Sequence, residues 1–225
     1  MNAFAARHPV DVAPDLLGWT IACRGSAAVV TEVEAYHQEE PAAHSYGGRP
    51  TARTSGLFGP PGTAYVYVSY GIHLCANLVT GPVGSGEAVL LRAAVPVHGE
   101  RDVRIRRALG RGVPPAQIPA RELLTGPGRL AQGLDIRLDD TGIDLLRIPG
   151  ESLDAALESS ADGPVLVRDV AAARAAGIQL PLPAGGLLVG PRIGITKAID
   201  LPWRFGVRGA AVSRPFPVGS PCSSG

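Results

Sequence analysis

The sequence predicts an α/β chain of the α+β type: a single domain with a curved, largely antiparallel β-sheet, a protruding β-hairpin and a few short helices. Three observations predict it. Residues 19–96 are rich in β-branched and aromatic residues in short alternations, broken by turn residues. The stretches with helical spacing that follow are brief. The 225 residues include 29 Gly and 21 Pro, punctuation that favours many short strands over a helical bundle. A chain of this length fits one domain, and a hydrophobic content of 45% supplies its core.

Taken in order, residues 29–36 (VVTEVEAY) read as a strand. Residues 64–79 read as two strands turning at Tyr70-Gly71, a hairpin. Residues 88–94 (AVLLRAA) form a more buried strand interrupted by one arginine, Arg92. Residues 99–109 have the pattern of a short basic helix. Residues 122–134 read as two helical pieces broken at Gly126-Pro127, because proline suits a helix's first turn and not its interior. Between residues 139 and 186 the pattern is weak, with a short strand at 165–170. Strands at 189–195 and 203–207 close the sheet. Residues 1–212 make the expected domain, and residues 213–225, rich in Pro, Ser and Gly, an expected loose tail.

Composition excludes some classes. No apolar run approaches the roughly 20 residues that cross a bilayer, so no membrane partner is expected. The first ten residues lack the basic-then-apolar order of a secretory signal. Cys23, Cys75 and Cys222 are an odd number without a CxxC pair, which fits free thiols in a reducing cytoplasm and no structural zinc. Net charge is only +1. Lys197 is the sole lysine among 21 basic residues, leaving 20 arginines, a bias that GC-rich coding produces as readily as function does.

The strand at 29–36 carries the first chemical pattern. Residues two apart share a strand face, so Glu32, Glu34 and Tyr36 point one way and Val29, Thr31, Val33 and Ala35 the other. His37 and His44 follow closely. Acid, imidazole and phenol this close together fit an active site, and they also fit a solvated strand face followed by a polar loop. In the hairpin, Tyr65 and Tyr67 share one face, and His73, Cys75 and Asn77 share another. Tyr70 sits at the tip, where packing explains an aromatic less easily; a tip aromatic is suited to wedging between base steps.

Taken together, residues 31–53 (TEVEAYHQEEPAAHSYGGRPTAR), 57–79 (LFGPPGTAYVYVSYGIHLCANLV), 88–93 (AVLLRA), 126–130 (GPGRL) and 190–205 (GPRIGITKAIDLPWRF) resemble the alkyladenine, or methylpurine, DNA glycosylase family in order and spacing. The resemblance implies a base-excision-repair enzyme that flips an alkylated or deaminated purine out of double-stranded DNA and hydrolyses its N-glycosidic bond. Glu34 matches the catalytic acid that deprotonates the attacking water. Tyr36, His44 and Tyr67 match the residues that enclose the flipped base. Asn77 matches a pocket residue that crowds the exocyclic amine of guanine, and Arg92 an arginine bordering the pocket. Tyr70 matches the side chain that fills the gap in the duplex. The family's T-P-R-N turn is altered here, with Ala52 and Thr54 replacing Pro and Asn.

The resemblance further implies a monomer without metal or organic cofactor, acting in a bacterial cytoplasm on the nucleoid. Lys197, the sole lysine, is expected away from the attack strand, so an abasic site rather than a nick is the expected product. Glu32 by like-charge repulsion and Arg92 by attraction would move the Glu34 pKa in opposite directions. Two other readings fit some residues. One is a metal-dependent hydrolase ligated by Glu34, His37 and His44 (or Glu32). The other is an inactive paralogue that only binds DNA.

Overall fold

The computed structural model describes residues 3–147 and 152–217. In these residues eight strands form one open antiparallel sheet: β1 (Thr20–Cys23), β2 (Ser26–Tyr36), β3 (Ala64–Ser69), β4 (His73–Val79), β5 (Ala88–His98), β6 (Val165–Val167), β7 (Leu187–Gly190) and β8 (Arg204–Val207). The order is β3-β4-β5-β2-β1-β6, with β8 on β2 and β7 on β8. Among the described residues five short α-helices accompany it: α1 (Pro9–Leu16), α2 (Glu100–Arg111), α3 (Pro127–Gly133), α4 (Leu153–Ser159) and α5 (Val170–Ala175). No helix among the described residues is long and apolar enough to cross a membrane. The α/β single-domain class and the antiparallel sheet agree with the sequence pattern.

The long strand β2 organises the molecule. Along one edge it pairs with β5; along the other, its first half pairs with β1 and Glu32, Val33 and Glu34 pair with β8. Val29, Val30, Val33 and Ala35 enter the main apolar core with Leu78, Val89, Leu91, Leu124 and Leu130. Two irregularities interrupt the β2–β5 register. The pairing steps from Val30↔Ala94 to Glu32↔Ala93, leaving Thr31 extra on β2, and then to Val33↔Leu91, leaving Arg92 extra on β5. Such bulges re-aim a side chain that regular pairing would send elsewhere. Helix α3 begins at the Gly126-Pro127 step, and the Gly126 amide, at φ 116°, donates to the Arg92 carbonyl at 2.8 Å. A left-handed backbone here requires glycine, and it seats α3 beside the bulge.

Several expectations need correction. Residues 122–134 hold one α-helix, not two pieces: before Gly126 the chain forms a 3-10 turn at Ala120–Glu122 and a bridge from Thr125 to Ala93. The strand expected at 189–195 is Leu187–Gly190, because Pro191 lacks a ladder donor and Arg192 leaves the sheet for a buried ion pair with Glu40. The span from 19 to 28 holds β1 and its turn into β2. Helix α1 was not anticipated. Of the tail, Ser213 to Pro217 lie against the sheet, with the Phe216 ring beneath Arg204. Residues from 218 on, with Cys222, lie outside the described residues.

Candidate active site

One cleft of about 630 Å³ opens where the ends of β2, β3, β4 and β5 meet the loops that follow β2 and β7. Tyr36, His44, Tyr67, Tyr70, Asn77 and Arg92, all singled out in the sequence, line it, together with Arg53, Ile193 to Lys197 and Arg214. Its volume falls in the range of small-molecule pockets, roughly 300–1,000 Å³.

Glu34 lies immediately behind this wall, fully buried. Its Oε2 accepts the Tyr36 hydroxyl at 2.8 Å and Arg92 Nη1 at 3.1 Å, and its Oε1 accepts the Ile193 amide at 2.7 Å. Three of its neighbours thus line the cleft. Burial raises the Glu34 pKa above the ordinary carboxylate value, opposed by Arg92, the Ile193 amide and Tyr36, with Glu32 adding a smaller upward push. The contest between Glu32 and Arg92 therefore goes to Arg92, while desolvation outweighs both. Burial and the Glu34 charge hold the Tyr36 phenol protonated, so it donates to the carboxylate.

Glu32 is also fully buried, and a solvated strand face is thereby excluded. It accepts Arg92 Nε at 3.1 Å and Arg204 Nε at 2.7 Å. The four charges Glu32, Glu34, Arg92 and Arg204 cancel. Burial works against the Arg92 charge, but Glu34 and Glu32 outweigh it, and its pKa sits above the usual arginine value. The bulge at Arg92 makes this network possible by aiming one guanidinium at two carboxylates two residues apart on β2.

The aromatic walls come from different elements. Tyr65 and Tyr67 of β3 stack at 5.6 Å, and the His44 ring meets Tyr67 edge-on at 4.4 Å. His44 titrates below the usual histidine value, through burial and the Arg53 guanidinium, and is therefore neutral near pH 7. Arg53 lies 5.9 Å over the Tyr67 ring. The His44 loop is fixed by neighbours: Ser45 Oγ donates to the Gly86 carbonyl, and Arg192 grips Glu40 through two bonds of 2.6 and 2.8 Å. Arg192 also lies 4.6 Å over Tyr36. Asn77 is buried, its Nδ2 donating to the Tyr65 carbonyl at 2.9 Å.

At the hairpin tip Tyr70 is 83% exposed and Ile72 76%, two apolar side chains in solvent. Tyr70 has φ 50° and Gly71 φ 74°. A left-handed tyrosine is uncommon. Its hydroxyl donates to the Gly194 carbonyl at 3.3 Å. Beyond the tip a second groove of about 980 Å³, lined by Arg107, Arg111, Arg129 and Arg137 among others, shares Ser69, Tyr70, Cys75 and Pro127 with the cleft.

One expectation fails at this site. Lys197, expected away from the attack strand, is an exposed residue lining the same cleft. His37, a ligand in the rival metal reading, is paired with Glu87 at 3.3 Å with its ring tilted against His8, and no group of three or more His, Cys, Asp or Glu among the described residues is arranged to hold a metal ion. Sequence reasoning passed over Arg53, Ile193, Ser213 and Arg214. All four lie in loops, where no periodicity marks a residue as facing a site.

The family profile described as methylpurine-DNA glycosylase (MPG) matches residues 3–211. A protein of Rhodopseudomonas palustris named "Putative 3-methyladenine DNA glycosylase" is 44% identical over 215 residues, covering 95% of this chain and 87% of that one. Proteins of the same name from Bradyrhizobium diazoefficiens and Nitrosospira multiformis are 42% and 38% identical, covering 96% and 92% of this chain and 91% and 90% of theirs. With its whole sheet inside the matched span, and relatives this similar along nearly their full length, the chain belongs to the methylpurine-DNA glycosylase family.

Proposed function

We propose that this protein excises alkylated or deaminated purines, of the 3-methyladenine, 7-methylguanine and hypoxanthine type, from double-stranded DNA by hydrolysis, leaving an abasic site. The observation that carries the reading is a buried carboxylate, Glu34, set behind an aromatic-walled cleft beside an exposed hairpin tip. A base inside the stack is out of reach of such a group, so the nucleotide must rotate out, at a cost of a few kcal/mol. Tyr70 fills the gap it leaves. The arginine-lined groove beyond the tip suits the phosphate backbone.

In the cleft, Tyr36, His44 and Tyr67 enclose the flipped base, and Asn77 restricts its width. N3- or N7-alkylated purines are cationic, and electron-rich rings favour them by roughly 0.5–2 kcal/mol each. Glu34 is the general base. Its Oε1 accepts one bond, from Ile193, and an ionised carboxylate oxygen has a second lone pair for a water. Glu34 takes a proton from that water as its oxygen bonds to the sugar C1′. The glycosidic C1′–N bond breaks, and its electron pair leaves with the base. A carboxyl pKa raised by burial suits this work near neutrality once Arg92, Tyr36 and Ile193 favour the ionised form. Lys197 lines the cleft but is exposed, whereas Schiff-base lysines are typically activated by desolvation or a nearby cation, which favours hydrolysis over strand cleavage. The protein acts as a cytoplasmic monomer without metal or organic cofactor.

A DNA-binding module without activity would gain nothing from a buried carboxylate facing a polyanion. Duplexes carrying one hypoxanthine or one 7-methylguanine test the proposal: incubation followed by hot alkali cleaves the strand at the lesion. Intact strands for both lesions would refute it.

A further inference from the structure

The chemistry above assigns nothing to the chain beyond residue 211, where the family match ends. Yet Ala211 to Pro217 pack against the wall of the cleft, and Arg214 lines it. Thr31 Oγ1 donates to the Ala211 carbonyl at 2.6 Å. The Ser213 amide donates to Glu32 Oε2, and the Ser213 hydroxyl donates to Glu32 Oε1 at 2.8 Å. Arg92 Nη2 donates back to Ser213 Oγ at 3.3 Å. Arg204 Nη2 donates to the Arg214 carbonyl, and the Phe216 ring sits 3.8 Å from the Arg204 guanidinium carbon.

A guanidinium is a rigid planar fork, so holding two of its nitrogens aims the third. In Arg92, Nε is held by Glu32 and Nη2 by Ser213, and Nη1 is thereby directed to Glu34 Oε2. Ser213 supplies one of these anchors directly and steadies the other through two bonds to Glu32. From this geometry we infer that Ser213 is a positioning residue, which fixes the Arg92 guanidinium against Glu34 and makes the segment 211–217 part of the active site. The inference rests on Glu34 being the base.

Its signature is the protonation of Glu34. The groups facing that carboxylate are Glu32 and Tyr36 on β2, Tyr67 on β3, Cys75 on β4, Arg92 on β5 and the Ile193 amide after β7, with Arg192 on the far side of the Tyr36 contact, over its ring. Among these Ser213 bonds to Glu32 and Arg92. Without the hydroxyl, Arg92 is free to swing from Glu34, burial is less opposed, and the carboxyl gains protons at a higher pH.

Single-turnover excision of hypoxanthine from duplex DNA, followed from pH 5 to 9, tests this in the full-length protein. Ser213→Ala should move the acidic limb upward by about one pH unit, with roughly tenfold slower excision on that limb. Ser213→Thr, which keeps the hydroxyl, should restore the wild-type limb. A limb unmoved in Ser213→Ala, whatever the rate, overturns the role of Ser213 while leaving Glu34 as base. No excision by the wild-type protein overturns both.

Discussion

Two carboxylates two residues apart on β2 should answer to replacement in different ways, and Glu32→Gln examines the one that does not face the proposed chemistry. Glu32 is fully buried and accepts from Arg92, Arg204 and both the amide and hydroxyl of Ser213. With Glu34 it balances two buried guanidinium charges, so the amide leaves one buried positive charge uncompensated. Removing one partner of a buried pair costs about 3–5 kcal/mol, and because glutamine keeps one acceptor oxygen the lower end, about 3 kcal/mol, applies. For a domain of this size each kcal/mol is worth about 2–4 °C, which gives a fall of about 6–12 °C in melting temperature. Thermal unfolding followed by circular dichroism, wild type and variant side by side at pH 7.5, measures it. A variant melting within about 2 °C of wild type would refute the argument that Glu32 is the anion holding Arg92 and Arg204 in place.

Other perturbations separate the remaining parts of the site. Since burial raises the Glu34 pKa and only the ionised form accepts a proton, excision should fall on acidification with a midpoint above the ordinary glutamate value of about 4.3; a pH–rate profile flat to pH 4 contradicts this. Tyr70→Ala should weaken binding to lesion-containing duplex at fixed salt by roughly tenfold or more, a stacking loss of about 1–3 kcal/mol, while the melting temperature stays near wild type because the side chain is exposed; unchanged affinity removes Tyr70 as the wedge. Borohydride added during turnover should trap no covalent adduct with DNA, and Lys197→Ala should excise at close to the wild-type rate. A trapped complex lost in that variant would instead make Lys197 a nucleophile.

The fold was legible where pattern is long and the site where strand parity governs. The alternation on β2 placed Glu32, Glu34 and Tyr36 together, and the Tyr36 hydroxyl does bond Glu34. That parity does not say whether a face is wet, and here both faces of β2 are covered. Arg92 was legible as a residue but not as a bulge, because register depends on what the partner strand does. Helix α1 has Pro9 in its first turn and apolar Val12, Ala13 and Leu16, yet Pro14 inside it argues against a helix, and docking onto β2 overrides that cost. Between 139 and 186 the elements are three to seven residues long, too short for either period to register. The loop after β7 and the segment from Ser213 contribute through backbone amides and hydroxyls, groups that leave no periodic trace.

Glu34→Gln in single-turnover excision, with duplex binding measured in parallel, bears most directly on the whole account. The amide oxygen can still accept from Ile193, while the NH2 group takes the place of the oxygen that accepts from Arg92 and Tyr36, so a melting temperature lowered as in Glu32→Gln is expected, and the folded variant should still bind hypoxanthine-containing duplex. The base is gone, so excision should fall by roughly 10²–10⁴-fold. Excision at the wild-type rate would mean that the proton goes elsewhere and that the buried carboxylate is only scaffold.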